Sequence, residues 1–133
     1  MKLRTLIMAS SVLGLLNISA SFSADNFFSL CEGSQRTADG HELEITLKFK
    51  PGSDGGYVGS AEYYNPINMA KFGGKLKNIS VTPQKVNFDM IYVGGRADGN
   101  TVKMSLKRFK NELRGTGYSD YSDRTLDIEV ACN

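Results

Sequence analysis

The sequence predicts an all-β fold of about eight antiparallel strands, closed as an up-and-down barrel with its two ends joined by a disulfide; a two-sheet β-sandwich is the alternative. Three observations carry this. Apolar and polar residues alternate with period two, turn residues interrupt the alternation every eight to twelve positions, and the only two cysteines, Cys31 and Cys132, lie near opposite ends of the chain.

The clearest strand is the second. Leu43, Ile45, Leu47 and Phe49 alternate with Glu44, Thr46 and Lys48, one face apolar and one face wet. Val86, Phe88, Met90 and Tyr92 repeat the pattern, as do Val102, Met104 and Leu106, and finally Leu126, Ile128, Val130 and Cys132. Phe27 to Cys31 is read as the opening strand and Tyr57 to Tyr64 as a strand rich in β-formers. Within Phe72 to Val81, Leu76 falls on one phase and Ile79 and Val81 on the other, which predicts a bulge near Lys77-Asn78. Leu113 to Tyr118 places Gly115 and Gly117 on one face, where a strand bends or approaches a neighbour closely. Turn residues punctuate the rest, and Asp98-Gly99 is a two-residue hairpin signal. Asn65 to Ala70 is read as a longer loop or a single helical turn, and no apolar stretch has the length and spacing of a substantial helix. Short connections favour neighbouring antiparallel pairs, and bonded ends favour a sheet that curls until its first strand meets its last.

Residues 1–23 read as a cleavable signal peptide: the basic start Met1-Lys2-Leu3-Arg4, an apolar run to Leu16, then small residues through Ser21-Phe22-Ser23. The apolar run is shorter than the ~20 residues of a membrane-spanning helix. Residues 24–133 are then one domain, with a secreted or periplasmic location, where paired cysteines oxidise. Removing the leader takes Lys2 and Arg4 from the 16 basic residues and leaves all 14 acidic ones, so the remainder is close to neutral. Net charge therefore gives no reason to expect nucleic acid as a partner, and nothing indicates membrane insertion.

This layout resembles the calycin-type barrels, lipocalins and avidins, across residues 24–133. The resemblance is one of architecture: lipocalins open with Gly-x-Trp and avidins use tryptophans in their sites, and this chain has no Trp. It implies a carrier of a small apolar ligand. An exported chain with a cysteine near each end also resembles the small periplasmic lysozyme inhibitors. Tyr57-Val58-Gly59-Ser60-Ala61-Glu62-Tyr63 echoes their Ser-Gly-x-x-Tyr segment with Gly and Ser in reversed order, which implies a hydrolase-inhibiting role.

No catalytic, metal or cofactor set stands out. His41 is the only histidine; Glu42 and Glu44 are the nearest partners for a general base, and a small hydrolase using His41 is a second alternative function. A solvated histidine at a strand edge is the plainer reading. None of the serines sits in a Gly-x-Ser-x-Gly elbow. Asp120 and Asp123 read as turn residues before they read as a glycosidase pair or a calcium loop. Two thiols and one imidazole are too few for a zinc site. The paired glycines precede no helix and so make no phosphate cradle. Asn78-Ile79-Ser80 is a glycosylation sequon, relevant only in a eukaryotic source.

Two segments are candidates for recognition. Tyr63, Tyr64, Ile67 and Met69 bring apolar bulk to a predicted loop, which either forms an exposed patch or plugs one end of the barrel. Arg108, Phe109 and Lys110 form a basic hairpin tip suited to an acidic partner, or a plain solvated turn. The interior positions inferred from alternation (Leu43 and Phe49, Phe88 and Met90, Met104 and Leu106 among them) are large enough to fill a barrel of eight strands. The reading is therefore a non-enzymatic binding protein that engages a protein partner through its loops, with the apolar-ligand carrier as the alternative.

Overall fold

The computed structural model describes residues 27–133; the expected signal peptide, residues 1–23, and residues 24–26 lie outside the described residues. Eight strands follow one another: β1 (Leu30–Thr37), β2 (Glu42–Pro51), β3 (Tyr57–Tyr64), β4 (Lys71–Val81), β5 (Lys85–Val93), β6 (Thr101–Phe109), β7 (Glu112–Ser119) and β8 (Arg124–Cys132). Each pairs antiparallel with the next, and β8 pairs with β1 to close the barrel. The sandwich alternative is thereby excluded. Closure leaves no sheet edge for intermolecular pairing.

Cys31 and Cys132 face each other directly across the β1–β8 seam and are disulfide-bonded. Both are buried. Alternation places them on the inward face with Val130, Ile128 and Leu126, so the bridge belongs to the core.

The inferred interior residues are buried, with one exception. Ile45, Leu47, Phe49, Phe88, Met90, Met104, Leu106, Leu126 and Ile128 are at most 4% exposed, whereas Leu43 is only partly buried, being near the end of its strand. The barrel closes tightly because four glycines let large neighbours, or backbone, occupy the place of a β-carbon. A Cβ on Gly74 would lie 2.2 Å from Met90 Sδ, and one on Gly59 would lie 2.4 Å from Lys48 O. At Gly33 and Gly115 the obstacle is the backbone of the adjacent strand, Glu129 O at 2.0 Å and Ser105 O at 2.1 Å. Such sites are where a strand bends sharply enough to turn a sheet into a small barrel.

The bulge expected near Lys77-Asn78 is present: the β4–β5 register shifts between Lys77 and Ser80, and Asn78 takes φ 55°. Two expectations need correction. The opening strand begins later and runs further than Phe27 to Cys31, continuing through Glu32-Gly33-Ser34-Gln35-Arg36-Thr37. Among the residues from Glu32 to Thr37 only Gln35 is buried, so no apolar alternation marks a strand there. Their β-structure is imposed by pairing on both sides, to β2 and β8. Asp98-Gly99 does not make a two-residue hairpin. It belongs to a wider turn in which Gly99 N donates to Tyr92 O and Gly94 N to Asp98 Oδ1.

Candidate functional site

The two ends of the barrel differ. At the end carrying Phe27 and the C-terminal Asn133, Phe27 packs edge-on against Phe49 (centroids 4.9 Å) and Tyr57 (5.1 Å) and beside Phe28. The Arg108 guanidinium lies over both rings, 5.3 Å from Phe27 and 5.4 Å from Phe28, and donates to Thr82 O at 2.8 Å. Cation–π contact and the hydrogen bond together hold the segment in place. Backbone bonds from Ser29 N to Asn133 O and from Phe49 N to Ser29 O complete a stopper next to the disulfide.

The opposite end carries the connections at 38–41, 65–70, 94–100 and 120–123. Beneath them the wall contributes an aromatic triad: Tyr63 stacks on Phe72 at 5.0 Å, and Tyr92 lies 5.8 Å from each. The Tyr63 hydroxyl donates to Gln35 Oε1 at 2.9 Å, a buried pair. Burial raises the phenol of Tyr63 well above its ordinary range and raises that of Tyr92, so both remain neutral. Above the triad, Ile67, Met69, Val93 and Tyr121 are exposed at 82%, 66%, 48% and 50%. A cleft of about 390 Å³ runs between Phe72, Val93, Ala97 and Tyr121, with Lys71 and Arg96 at its edge.

The 65–70 loop is internally bonded. Asn65 N donates to Ala70 O at 2.9 Å and Met69 N to Asn65 O at 2.7 Å. The side chains of Asn65 and Asn68 accept from Ile67 N and Ala70 N. Met69 takes φ 61°, a left-handed conformation that turns the chain back. A loop braced this way presents Ile67 and Met69 with little conformational freedom left to lose on binding. The alternative, a plug over the barrel end, does not hold for these two side chains.

The seven recognition residues inferred from sequence do not form one site. Ile67 and Met69 share the exposed loop. Tyr63 and Tyr64, expected beside them, are the last residues of β3 and face opposite ways. Tyr63 is core, at 2% exposed, and Tyr64 lies on the outer wall beside Glu44, Glu62 and Lys71. Arg108, Phe109 and Lys110 are at the other end of the barrel. Arg108 is turned onto the stopper and away from any partner, and Phe109 carries the Arg114 guanidinium at 4.2 Å. Lys110, at φ 48°, makes the tight turn into β7. The sequence reading missed Val93 and Tyr121 on the rim and Phe72 beneath them. Tyr121 was hidden in turn chemistry, and Val93 carries a signal only as an apolar residue just past the end of an alternating run.

His41 is exposed, and its partner is Asp39, 3.1 Å from Nδ1, where Glu42 or Glu44 was expected. Glu42 pairs with Arg36, and Glu44 is on the outer wall. The hydroxyl of Thr37 is engaged by Asp39 and by His41 N, so among the described residues no hydroxyl is bonded to the imidazole. Asp39 also accepts from Arg124 Nη1 at 2.7 Å, which ties the β1–β2 turn to the start of β8. Hydrogen bonds from Thr37, His41 and Arg124 hold its carboxyl well below the usual range. A lowered folded pKa stabilises above the unfolded value and is lost as pH falls through and below it. Asp39→Asn should therefore lower the urea midpoint at neutral pH, and its difference from the parent should shrink steadily once the pH is below the ordinary carboxylate value of 3.8. A gap that persists at the most acid pH would assign the effect to something other than the charge.

Asp120 and Asp123 are committed within their turn. Asp120 Oδ1 accepts from Thr101 N at 2.8 Å, and Asp123 accepts from the Tyr118 hydroxyl. No group of three or more metal-ligating side chains occurs among the described residues.

The strands define a closed eight-stranded antiparallel β-barrel, stoppered and disulfide-stitched at one end. No family model and no curated protein matches the chain. Among solved structures it is similar to a de novo designed fluorescence-activating β-barrel, with a TM-score of 0.65 and 19% identity over 84% of this chain and 97% of that one. At that identity the likeness is one of fold.

Proposed function

We propose that this protein is an exported, non-enzymatic binding protein that recognises a protein partner through the loops at the end of its barrel opposite the disulfide. The observation that carries the reading is the contrast between interior and rim. Inside, the β-carbon space at Gly74 and Gly59 is taken by Met90 Sδ (2.2 Å) and, at 2.9 Å, Leu76 Cδ1, so neighbouring side chains interdigitate. Outside, a braced loop holds Ile67 and Met69 in water beside Val93, Tyr121 and an apolar cleft. Solvent-exposed apolar side chains gathered on one rim are the usual mark of a recognition surface. Inhibition of a hydrolase, as in the lysozyme inhibitors, is one role such a surface serves. The disulfide is compatible with an oxidising extracellular or periplasmic compartment.

The carrier reading keeps one observation of its own. The cleft of about 390 Å³ above Phe72 is within the range of small-molecule sites, and the designed barrel this chain is similar to is a fluorescence-activating one. Native mass spectrometry of the protein purified from its source separates the two. A stoichiometric protein companion, lost on Ile67→Ser/Met69→Ser with the unfolding midpoint unchanged, is the expected result. A co-purified lipophile with no protein companion would instead make the cleft a ligand site and overturn the partner reading.

A further inference from the structure

The near-neutral composition hides a segregated charge. Between Lys71 and Ser119, the span of β4 to β7, there are ten Lys and Arg residues against three Asp and Glu; beyond the leader, the rest of the chain holds four against eleven. Because these four strands are neighbours in the barrel, one side of the wall is strongly cationic. A one-signed surface of this kind attracts anions from a distance.

The cations converge at one place. On the outward face, Lys85 is directly opposite Lys107, and Lys107 directly opposite Arg114, which makes a row of three positive charges across β5, β6 and β7. Like charges opposed across strands are destabilising, and this row has little internal relief. Glu112 pairs with Arg114 at 3.3 Å, while Lys85 and Lys107 take part in no ion pair among the described residues. One pleat further along, Ser105 is opposite Thr116, so two exposed hydroxyls lie next to the row. These five side chains and Phe109 line a cleft of about 430 Å³ on the barrel wall. Stacking on Phe109 at 4.2 Å orients the Arg114 guanidinium plane and leaves hydrogens on its edge available.

From this arrangement we infer a binding site for phosphate groups on the outer wall of β5–β7. Two ammonium groups, a guanidinium and two hydroxyls all donate to a ligand that only accepts. A phosphate presents several charged oxygens in three dimensions, which matches this donor set better than a single planar carboxylate. The unrelieved repulsion in the row is what an anion would remove. A free oligophosphate and a lipid headgroup both present such a phosphate; the donor chemistry is common to both.

The test uses the full processed protein with inorganic pyrophosphate as the soluble probe. Vesicles of phosphatidylglycerol, with phosphatidylcholine as the neutral control, are the lipid probe. Lys85→Gln/Lys107→Gln should weaken binding by about tenfold or more, since two charge-assisted contacts are lost. Lys48→Gln/Lys50→Gln, which changes net charge equally on another part of the wall, should change it by less than about twofold. Binding of the parent should weaken as salt rises from about 50 to about 200 mM, because exposed charges are screened. Because Lys85→Gln/Lys107→Gln relieves repulsion, its unfolding midpoint should match or exceed that of the parent, which separates lost binding from lost fold. Binding of pyrophosphate assigns the site to free phosphates, and binding of phosphatidylglycerol vesicles alone assigns it to headgroups. No binding of either probe, or equal weakening by both double variants, overturns the site.

Discussion

Gly33→Ala should destabilise the protein by more than about 2 kcal/mol, the upper part of the range for forcing extra atoms into a packed interior. The added methyl would lie 2.0 Å from Glu129 O and 2.7 Å from the Val130 α-carbon, both backbone atoms of β8 that no side-chain rotation can move. Relief requires β1 and β8 to separate, and those strands form the seam that closes the barrel. Gly73→Ala supplies the contrast. Its added methyl meets only Ala61 O at 3.4 Å, an ordinary contact. The backbone there is not left-handed, so the change should be neutral or stabilise by up to ~1 kcal/mol by restricting the unfolded chain. Urea unfolding of the three proteins measures both. Equal midpoints would mean that the seam is loose enough to absorb a methyl group.

Cys31→Ala/Cys132→Ala should cost up to ~4–5 kcal/mol on the chain-entropy argument, because the bridge spans a sequence separation of 101. The β1–β8 pairing is also the longest-range contact in the fold, so without the bridge its closure bears the full entropy of bringing the chain ends together. A reductant should lower the parent's unfolding midpoint toward that of the double variant and leave the double variant itself unmoved. Combined with Gly33→Ala, the loss should depart from the sum of the two separate losses, since both changes act on one seam. A double variant as stable as the oxidised parent would show that strand pairing alone holds the barrel shut.

Legibility in the sequence followed the strength of each residue's local signal. The strands centred on Ile45, Phe88, Met104 and Ile128 were readable because apolar and polar residues alternate without interruption. The Lys77-Asn78 bulge was readable because Leu76 and Ile79 break phase. The run from Glu32 to Thr37 was not, because its β-structure comes from partners on both sides. Of the candidate site, Ile67 and Met69 were readable as apolar residues in a turn-rich segment. Tyr63 and Arg108 were misplaced for opposite reasons: the bounds of β3 were read correctly but its weak alternation did not show that Tyr63 falls on the inward face, and a cation that looks solvated is drawn onto Phe27 and Phe28.

By itself, the sequence determined that the chain makes antiparallel strands with one buried face, because a period of two decides which side chains point inward, and it favoured a barrel over a sandwich from two cysteines near opposite ends; strand pairing in the structure decided for the barrel. Only the tertiary structure decided which end is stoppered, which loop is braced in water, and where the charges gather. Those depend on distances between residues far apart in the chain. Lys85, Lys107 and Arg114 become one row only when three strands are in register, and a total charge near zero carries no information about where its parts are placed.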